Sequence, residues 1–380
     1  MSNHKNSFNI ELNILFYVGA VFMSEEVKNI IKVACIYATT IIGAGFASGQ
    51  EIMQFFTVYK AGGFYGILLA GLLFSVIGCI VLERVYRERI RNYEEFLFPT
   101  FGWFCGWILE IAVTIFMLCL FCVMIAGMGN IMSEKIGIPF RYSALIMGVI
   151  CMIAILTNIK GIVTLSTFVT PILVTGIILA GLCIIIFGNR EVAGIFNVIN
   201  RLNGSWLFSS LLYVSYNSIL AIAVMCSLLP YIKTVKTARI GGILGGVILC
   251  GAAFIINMAL NLFYPAIIDK ELPILAILKD FNAPAGNLYA IVLWLAMFVS
   301  AVTAGFCFTE RLSSTIKIGK KAITTVLCAA AVPLSTWGFS KLIAVIYPIF
   351  GYLGLFMNLV ILAQSLLLIG KGIARRYGGK

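Results

Sequence analysis

Ile41-Ile42-Gly43-Ala44-Gly45-Phe46-Ala47-Ser48-Gly49-Gln50-Glu51 sits inside an apolar run over 30–58. The run has the length of a membrane helix, yet its middle carries three glycines and then an amide and a carboxylate. Each glycine costs a helix interior about 1 kcal/mol relative to alanine. An ionised side chain at bilayer depth costs about 2.5–3.5 kcal/mol on insertion scales. A helix that only anchors has no use for these residues. A helix that opens its backbone toward a ligand does, because broken membrane helices persist where they are buried or line a cavity.

The composition around this stretch is that of a multi-pass membrane protein. The chain is 61% hydrophobic and 11% charged, where soluble domains carry about 25% charged residues. Lys and Arg outnumber Asp and Glu by 27 to 15. The excess lies in short loops between apolar runs, as the positive-inside rule expects, so it does not point to nucleic acid. The one histidine, His4, is in a polar tail, which removes His-based catalysis and His metal sites. Cys119 and Cys122 form a single C-x-x-C with no second pair, so no metal site is expected; the eleven cysteines read as buried small apolar residues. No cofactor is expected beyond H+ or Na+ as a coupling ion. Residues 1–23 read as a disordered extension or a misplaced start, because the apolar piece there is too short to span.

Ten spanning segments are expected, over 30–58, 62–83, 102–132, 141–157, 162–188, 205–229, 240–263, 285–310, 322–337 and 342–370. The distribution of Lys and Arg puts both termini in the cytoplasm of a cell-membrane protein. A polar joint over 189–204 leaves five spans on each side. An odd number per half turns the halves over relative to each other, so 24–188 and 205–370 are expected to form an inverted repeat within one transmembrane domain. The longest connections follow the second span of each half, over 83–101 and 264–284. The latter contains Leu272-Pro273-Ile274-Leu275-Ala276-Ile277-Leu278, which could dock into an extracellular vestibule. The sixth span, counterpart of the first, has the polar centre Tyr213-Val214-Ser215-Tyr216-Asn217-Ser218. Ser and Asn compete for backbone hydrogen bonds, so this span too is expected to be interrupted. The fold class is therefore all-α and polytopic, a five-plus-five inverted repeat with discontinuous first and sixth helices.

With these residues the chain resembles the YkvI family of bacterial membrane proteins, within the amino acid–polyamine–organocation superfamily whose fold was first seen in LeuT. The resemblance covers about 24–370. It implies a permease in which backbone amides of Gly43, Ala44, Gly45, Phe46, Ala47, Ser48 and Gly49 hold a substrate carboxylate. It also implies that Tyr213, Ser215, Tyr216, Asn217 and Ser218 complete the pocket. Sodium-coupled relatives place hydroxyl ligands on the eighth span, matched here in part by Ser300 and Thr303. One departure is that no glycine lies between Gly204 and Gly241, where the superfamily often has one at the break of the sixth span.

The remaining polar residues leave alternatives open. Glu51 is a protonatable coupling group, a partner for a substrate amine, or a cap on the helix that restarts after Gly49. Gln50 is an ion or substrate ligand, or a helix–helix hydrogen bonder. Glu110 is a proton relay or bonds a neighbouring backbone. Asn257, Asn261, Asn358 and Gln364 read as structural. Gly241, Gly242, Gly245 and Gly246 signal close helix packing. The expected function is secondary transport of a small amino acid or related zwitterion by alternating access, coupled to H+ in preference to Na+. The rival is a ligand receptor of the same fold that does not transport, like a germinant-receptor subunit. An enzyme is not expected, since no His-Glu-x-x-His, Gly-x-Ser-x-Gly or Walker A sequence is present.

Overall fold

The computed structural model describes residues 24–157, 159–188, 205–316 and 318–377. The expectations for 1–23, including His4, and for the joint over 189–204 lie outside the described residues. Every regular element among the described residues is helical. In chain order these are α1 (Glu25–Ile41), α2 (Ala44–Ser48), α3 (Gln50–Phe55), α4 (Ala61–Glu88), α5 (Tyr93–Ile136), α6 (Phe140–Thr157) and α7 (Ile159–Phe187). They continue as α8 (Trp206–Cys226), α9 (Val235–Ile267), α10 (Pro273–Phe281), α11 (Ala283–Thr315), α12 (Lys320–Ser335) and α13 (Phe339–Tyr377). Six of them, α4, α5, α8, α9, α11 and α13, are long and apolar enough to cross a membrane.

Local sequence accounts for the ends. The Ser24 hydroxyl accepts the Val27 N–H, and Glu25 and Glu26 fill the first turn of α1, where a carboxylate favours the positive end of the helix dipole. The expected loop over 83–101 is mostly helix instead. α4 runs on to Glu88, and α5 starts at Tyr93 because Asn92 caps it. Asn92 Oδ1 accepts the Glu95 N–H (2.9 Å), and Glu95 Oε2 accepts the Arg91 N–H (2.8 Å), a reciprocal cap. Gly102 (φ 75°, ψ 172°) then breaks α5 internally.

The expected interruption of the sixth span is also corrected. α8 is an unbroken helix through Tyr213–Ser218. Three of its polar side chains return hydrogen bonds to their own helix. Ser210 Oγ donates to Trp206 O (2.7 Å), Asn217 Nδ2 to Tyr213 O (3.0 Å) and Ser218 Oγ to Val214 O (2.7 Å). Such bonds to the preceding turn satisfy the hydroxyl without opening the ladder, and no glycine or proline loosens it.

α1, α4, α8 and α9 pack together. The glycines of α9 make that approach possible. A Cβ on Gly242 would collide with the Gly78–Cys79 backbone, one on Gly245 with Tyr37, and one on Gly246 with Ser75. The Tyr37 hydroxyl donates to Phe74 O (2.9 Å), which ties α1 to α4. α5, α6, α11 and α12 form a second group, and α13 lies along α8 and α5. All eleven cysteines are free, but only Cys122, Cys151, Cys226 and Cys328 are buried; Cys35 and Cys183 are exposed and the rest half-buried.

Gly242→Val should separate α4 from α9. Overpacking of this kind costs about 1–3 kcal/mol, so the purified variant should melt several degrees lower in detergent, whereas Gly251→Val, at a glycine with open space around it, should not.

Candidate functional site

The first predicted span is broken twice. Ile42 leaves the helix, Gly43 is extended (φ −98°, ψ −170°), and the five-residue α2 follows. Gly49 then takes φ 83°, ψ −7°, a left-handed conformation that costs a residue with a Cβ about 1–2 kcal/mol. Ser48 bridges this second break. Its hydroxyl donates to Gly45 O (2.7 Å) and accepts the Gln50 N–H (3.2 Å). No side chain caps α2, and a Cβ on Gly43 would have no atom within 4 Å, so the chain faces open space there.

The double break swings Glu51 back over α2. Its carboxylate lies against Gly45, where a Cβ would overlap Oε1. The side chain is buried, and the Tyr216 hydroxyl of α8 donates to Oε2 (2.7 Å). Tyr347 of α13 stands on the far side of Tyr216, beside the same carboxylate. Rings enclose the group. Phe55 lies 5.5 Å from both Tyr213 and Tyr216, and Tyr216 lies 4.6 Å from Tyr347. Phe116 of α5 touches Tyr347 at 6.3 Å. A carboxylate thus lies where three separate helices meet, inside an aromatic shell.

α10 covers the break from the side. Its apolar residues Ile274, Leu275, Ile277 and Leu278 are buried, and Ile274 packs on Gly49, where a Cβ would lie 2.7 Å from its Cγ1. The apolar piece of the long connection therefore docks at the broken helix. From α11, the Tyr289 hydroxyl donates to Ala47 O (2.6 Å).

The other predicted residues are distributed more widely. Ala44, Gly45, Phe46, Ala47 and Ser48 are buried in and around α2, with Glu51, Tyr213 and Tyr216 beside them. Ser215 and Ser218 instead face α13, where Asn358 Nδ2 donates to both hydroxyls (3.5 and 3.2 Å), and Asn217 bonds its own helix. Gln50 is buried with its Oε1 unpartnered. Ser300 is half-buried and Thr303 exposed on α11, and no hydrogen bond joins either to the break. Glu110 is neither alone nor bonded to a neighbouring backbone through its carboxylate. It forms an ion pair with Arg311 of α11, and the Arg311 guanidinium also lies over the Tyr93 ring. Asn257 accepts from Thr57 (2.9 Å), and Gln364 donates to Thr100 O (2.7 Å), both structural as expected. Tyr347 and Tyr289 were missed as site residues. The available signal was a phenol in the apolar middle or end of a long span, since a buried tyrosine hydroxyl seeks a partner.

No family model matches the sequence. The uncharacterized membrane protein YkvI of Bacillus subtilis is 26% identical over 324 residues, covering 85% of this chain and 92% of that protein. The chain is thus similar to YkvI over nearly its whole length, in line with the resemblance read from Gly43–Glu51. Among solved structures, a manganese transporter of Eremococcus coleocola superposes with TM-score 0.62 at 14% identity, covering 90% of this chain and 80% of its own. Mhp1, a nucleobase-cation-symport-1 family transporter in a closed conformation, superposes with TM-score 0.58 at 13% identity, covering 81% and 71%. The fold is the LeuT type shared by these transporters.

Two substitutions separate the roles. Gly45→Ala should expel the Glu51 carboxylate from its notch and destabilise the protein by about 1–3 kcal/mol, read as a lower melting temperature that Glu51→Ala in the same chain partly restores. Glu110→Gln should weaken the tie between α5 and α11 and cost about 1–3 kcal/mol, less than a fully buried pair because both side chains are partly exposed. The Glu110→Gln, Arg311→Gln double variant should recover most of that loss.

Proposed function

We propose that the protein is a secondary transporter of a small amino acid or related zwitterion, working by alternating access and driven by an H+ or Na+ gradient. The observation that carries this reading is the helix broken at Gly43 and Gly49 in the buried centre of a membrane fold, with a carboxylate folded back against it. The uncapped first turn of α2 offers N–H groups of Ala44, Gly45 and Phe46 to a substrate carboxylate, next to the open space at Gly43. Phe46, Tyr213 and Tyr216 would meet the rest of the substrate. Gln50 and Glu51 are the groups nearest to hand for ion coupling, with H+ favoured. The fold shared with secondary transporters supports this reading, and so does the absence of any catalytic motif in the sequence.

The same proposal takes all ten predicted segments as crossings, with both termini cytoplasmic and 24–188 and 205–370 as inverted halves. It takes the Ser300–Thr303 pair as a further candidate ion position, and Glu110 as a paired charge rather than a relay.

Proteoliposomes loaded against an amino acid panel, with sodium and proton gradients imposed separately, test the proposal. Uptake of at least one amino acid should follow one gradient. Binding without flux under either gradient would favour a receptor instead. Glu51→Gln should abolish concentrative uptake while leaving counter-exchange intact, and unaltered concentrative uptake in that variant would remove Glu51 from the coupling step.

A further inference from the structure

One face of α4 changes character along its length. Leu72, Val76, Ile80, Glu83 and Arg87 follow one another at helical spacing, so they share that face. Leu72 and Val76 are exposed and apolar. Glu83 and Arg87 are charged and paired. A face that runs from exposed apolar residues to charge marks where a helix leaves hydrocarbon for the head-group layer. A cleft of about 800 Å³ opens at that transition, between α4, α9 and α13, within the range of about 300–1,000 Å³ usual for ligand sites.

The cleft is apolar on one side and basic on the other. Ile80 and Ile361 form the apolar wall. The guanidinium groups of Arg84, Arg87 and Arg239 stand against the carboxylates of Glu83 and Glu88, which leaves one positive charge unbalanced. The carboxylates also leave donors unused, since a guanidinium has five N–H groups. Arg239 gives Nε and Nη2 to Glu83, and Arg87 gives the same two nitrogens to the same residue. Among the described residues, no acceptor takes Nη1 of either arginine, and their side chains are 53% and 58% exposed. In the sequence, α13 goes on from Ser365 to Lys371, Arg375 and Arg376 with no acid among them. An occupant that uses both sides of the cleft has an apolar body and an anionic group that accepts several hydrogen bonds. A soluble anion has no use for the apolar wall.

We propose that the cleft between α4, α9 and α13 binds an anionic phospholipid of the cytoplasmic leaflet, with its phosphate on Nη1 of Arg87 and Arg239 and its chains along Ile80 and the exposed face of α4. Basic pockets between membrane helices on the cytoplasmic side suit such head groups. The inference rests on the crossing directions proposed above and not on transport. The Arg239–Glu83 pair stays intact when the lipid binds, and the bound lipid ties α13 to the α4–α9 pair.

The test uses the full-length protein in a neutral detergent, washed until no lipid phosphorus is measurable, with melting followed by intrinsic fluorescence. Dioctanoyl phosphatidylglycerol, dioctanoyl phosphatidylcholine and inorganic phosphate are titrated separately. A ligand that binds only the folded state raises the melting temperature in a saturating way. The rise should occur with phosphatidylglycerol alone. Its half-saturation should move about fivefold higher in Arg87→Gln, which leaves Arg239 on Glu83. It should be lost in Ser365→Phe, which fills the cleft without changing its charge, and unchanged in Arg141→Gln, an exposed charge at the start of α6. No saturating rise, or an equal rise with phosphatidylcholine, would overturn the site. A matching rise with inorganic phosphate would replace the lipid by a free anion and overturn the proposal as well, as would a phosphatidylglycerol effect that survives unaltered in Arg87→Gln. Should Ser365→Phe not fold, the shift in Arg87→Gln decides the matter. The assay needs no flux, so its failure leaves the transport reading standing, and failed uptake leaves the lipid site standing.

Discussion

The arrangement depends on one constraint: a carboxylate that has left water must be held by groups brought from elsewhere in the chain. Glu51 reaches its place only because the backbone breaks on both sides of α2. Gly49 supplies the left-handed turn that re-aims α3, and Gly45 leaves the space that the carboxylate fills. Tyr216 then comes from 165 residues away on α8, and Tyr347 from α13. Had the first span been a regular helix, its carboxylate would point away from Gly45. The glycines are therefore the condition for the polar core rather than a weakness in an anchor.

A second polar layer lies at the opposite end of the same helices. Glu83 of α4 takes Arg87 from its own helix and Arg239 from α9, and Glu26 of α1 meets Lys236 of α9. Arg84 bonds Glu88, Thr100 and Gln364 and so connects α4 to α5 and α13. Of these, Glu83, Arg84, Arg87, Glu88, Arg239 and Gln364 line a cleft of about 800 Å³. Exposed pairs of this kind contribute about 0–1 kcal/mol each. Their effect is to set register among α1, α4 and α9, helices already joined by glycine contacts. The hydrophobic and glycine packing holds those helices together, and the charges orient them.

Much of this was legible in the sequence wherever one residue type has one physical outcome. Three glycines followed by an acid had to break the first span, and the spacing Gly241, Gly242, Gly245 and Gly246 had to admit a neighbouring backbone. The apolar Leu272–Leu278 piece had to find a surface to cover. The sequence was ambiguous where a residue has two outcomes. Ser and Asn in the middle of a helix can open it or bond to the preceding turn. In α8 they do the latter, so an interruption was expected and an unbroken helix was found. Asn92 and Glu95 formed a readable cap that was overlooked, and the loop over 83–101 was overestimated as a result. Partners distant in sequence were out of reach altogether. Nothing near Glu110 announces Arg311, and nothing near Glu51 announces Tyr347, because such pairs are set by how α5, α11 and α13 pack.

The unbroken α8 has a mechanical consequence. The two polypeptide segments flanking Glu51 differ in stiffness. The first carries two joints, at Gly43 and Gly49, where the chain leaves helical φ and ψ and the regular ladder is interrupted. The second is a strut: Ser210, Asn217 and Ser218 bond back to the preceding turn, and no glycine or proline interrupts the helix. Bending therefore concentrates on the jointed side, and α8 can only tilt or slide as one rod. Freeing the carboxylate from the strut's Tyr216 thus uncouples the jointed segment from a rigid one. The short α2 lies between the two joints, and any turn of it has first to release the Tyr289 hydroxyl from Ala47 O.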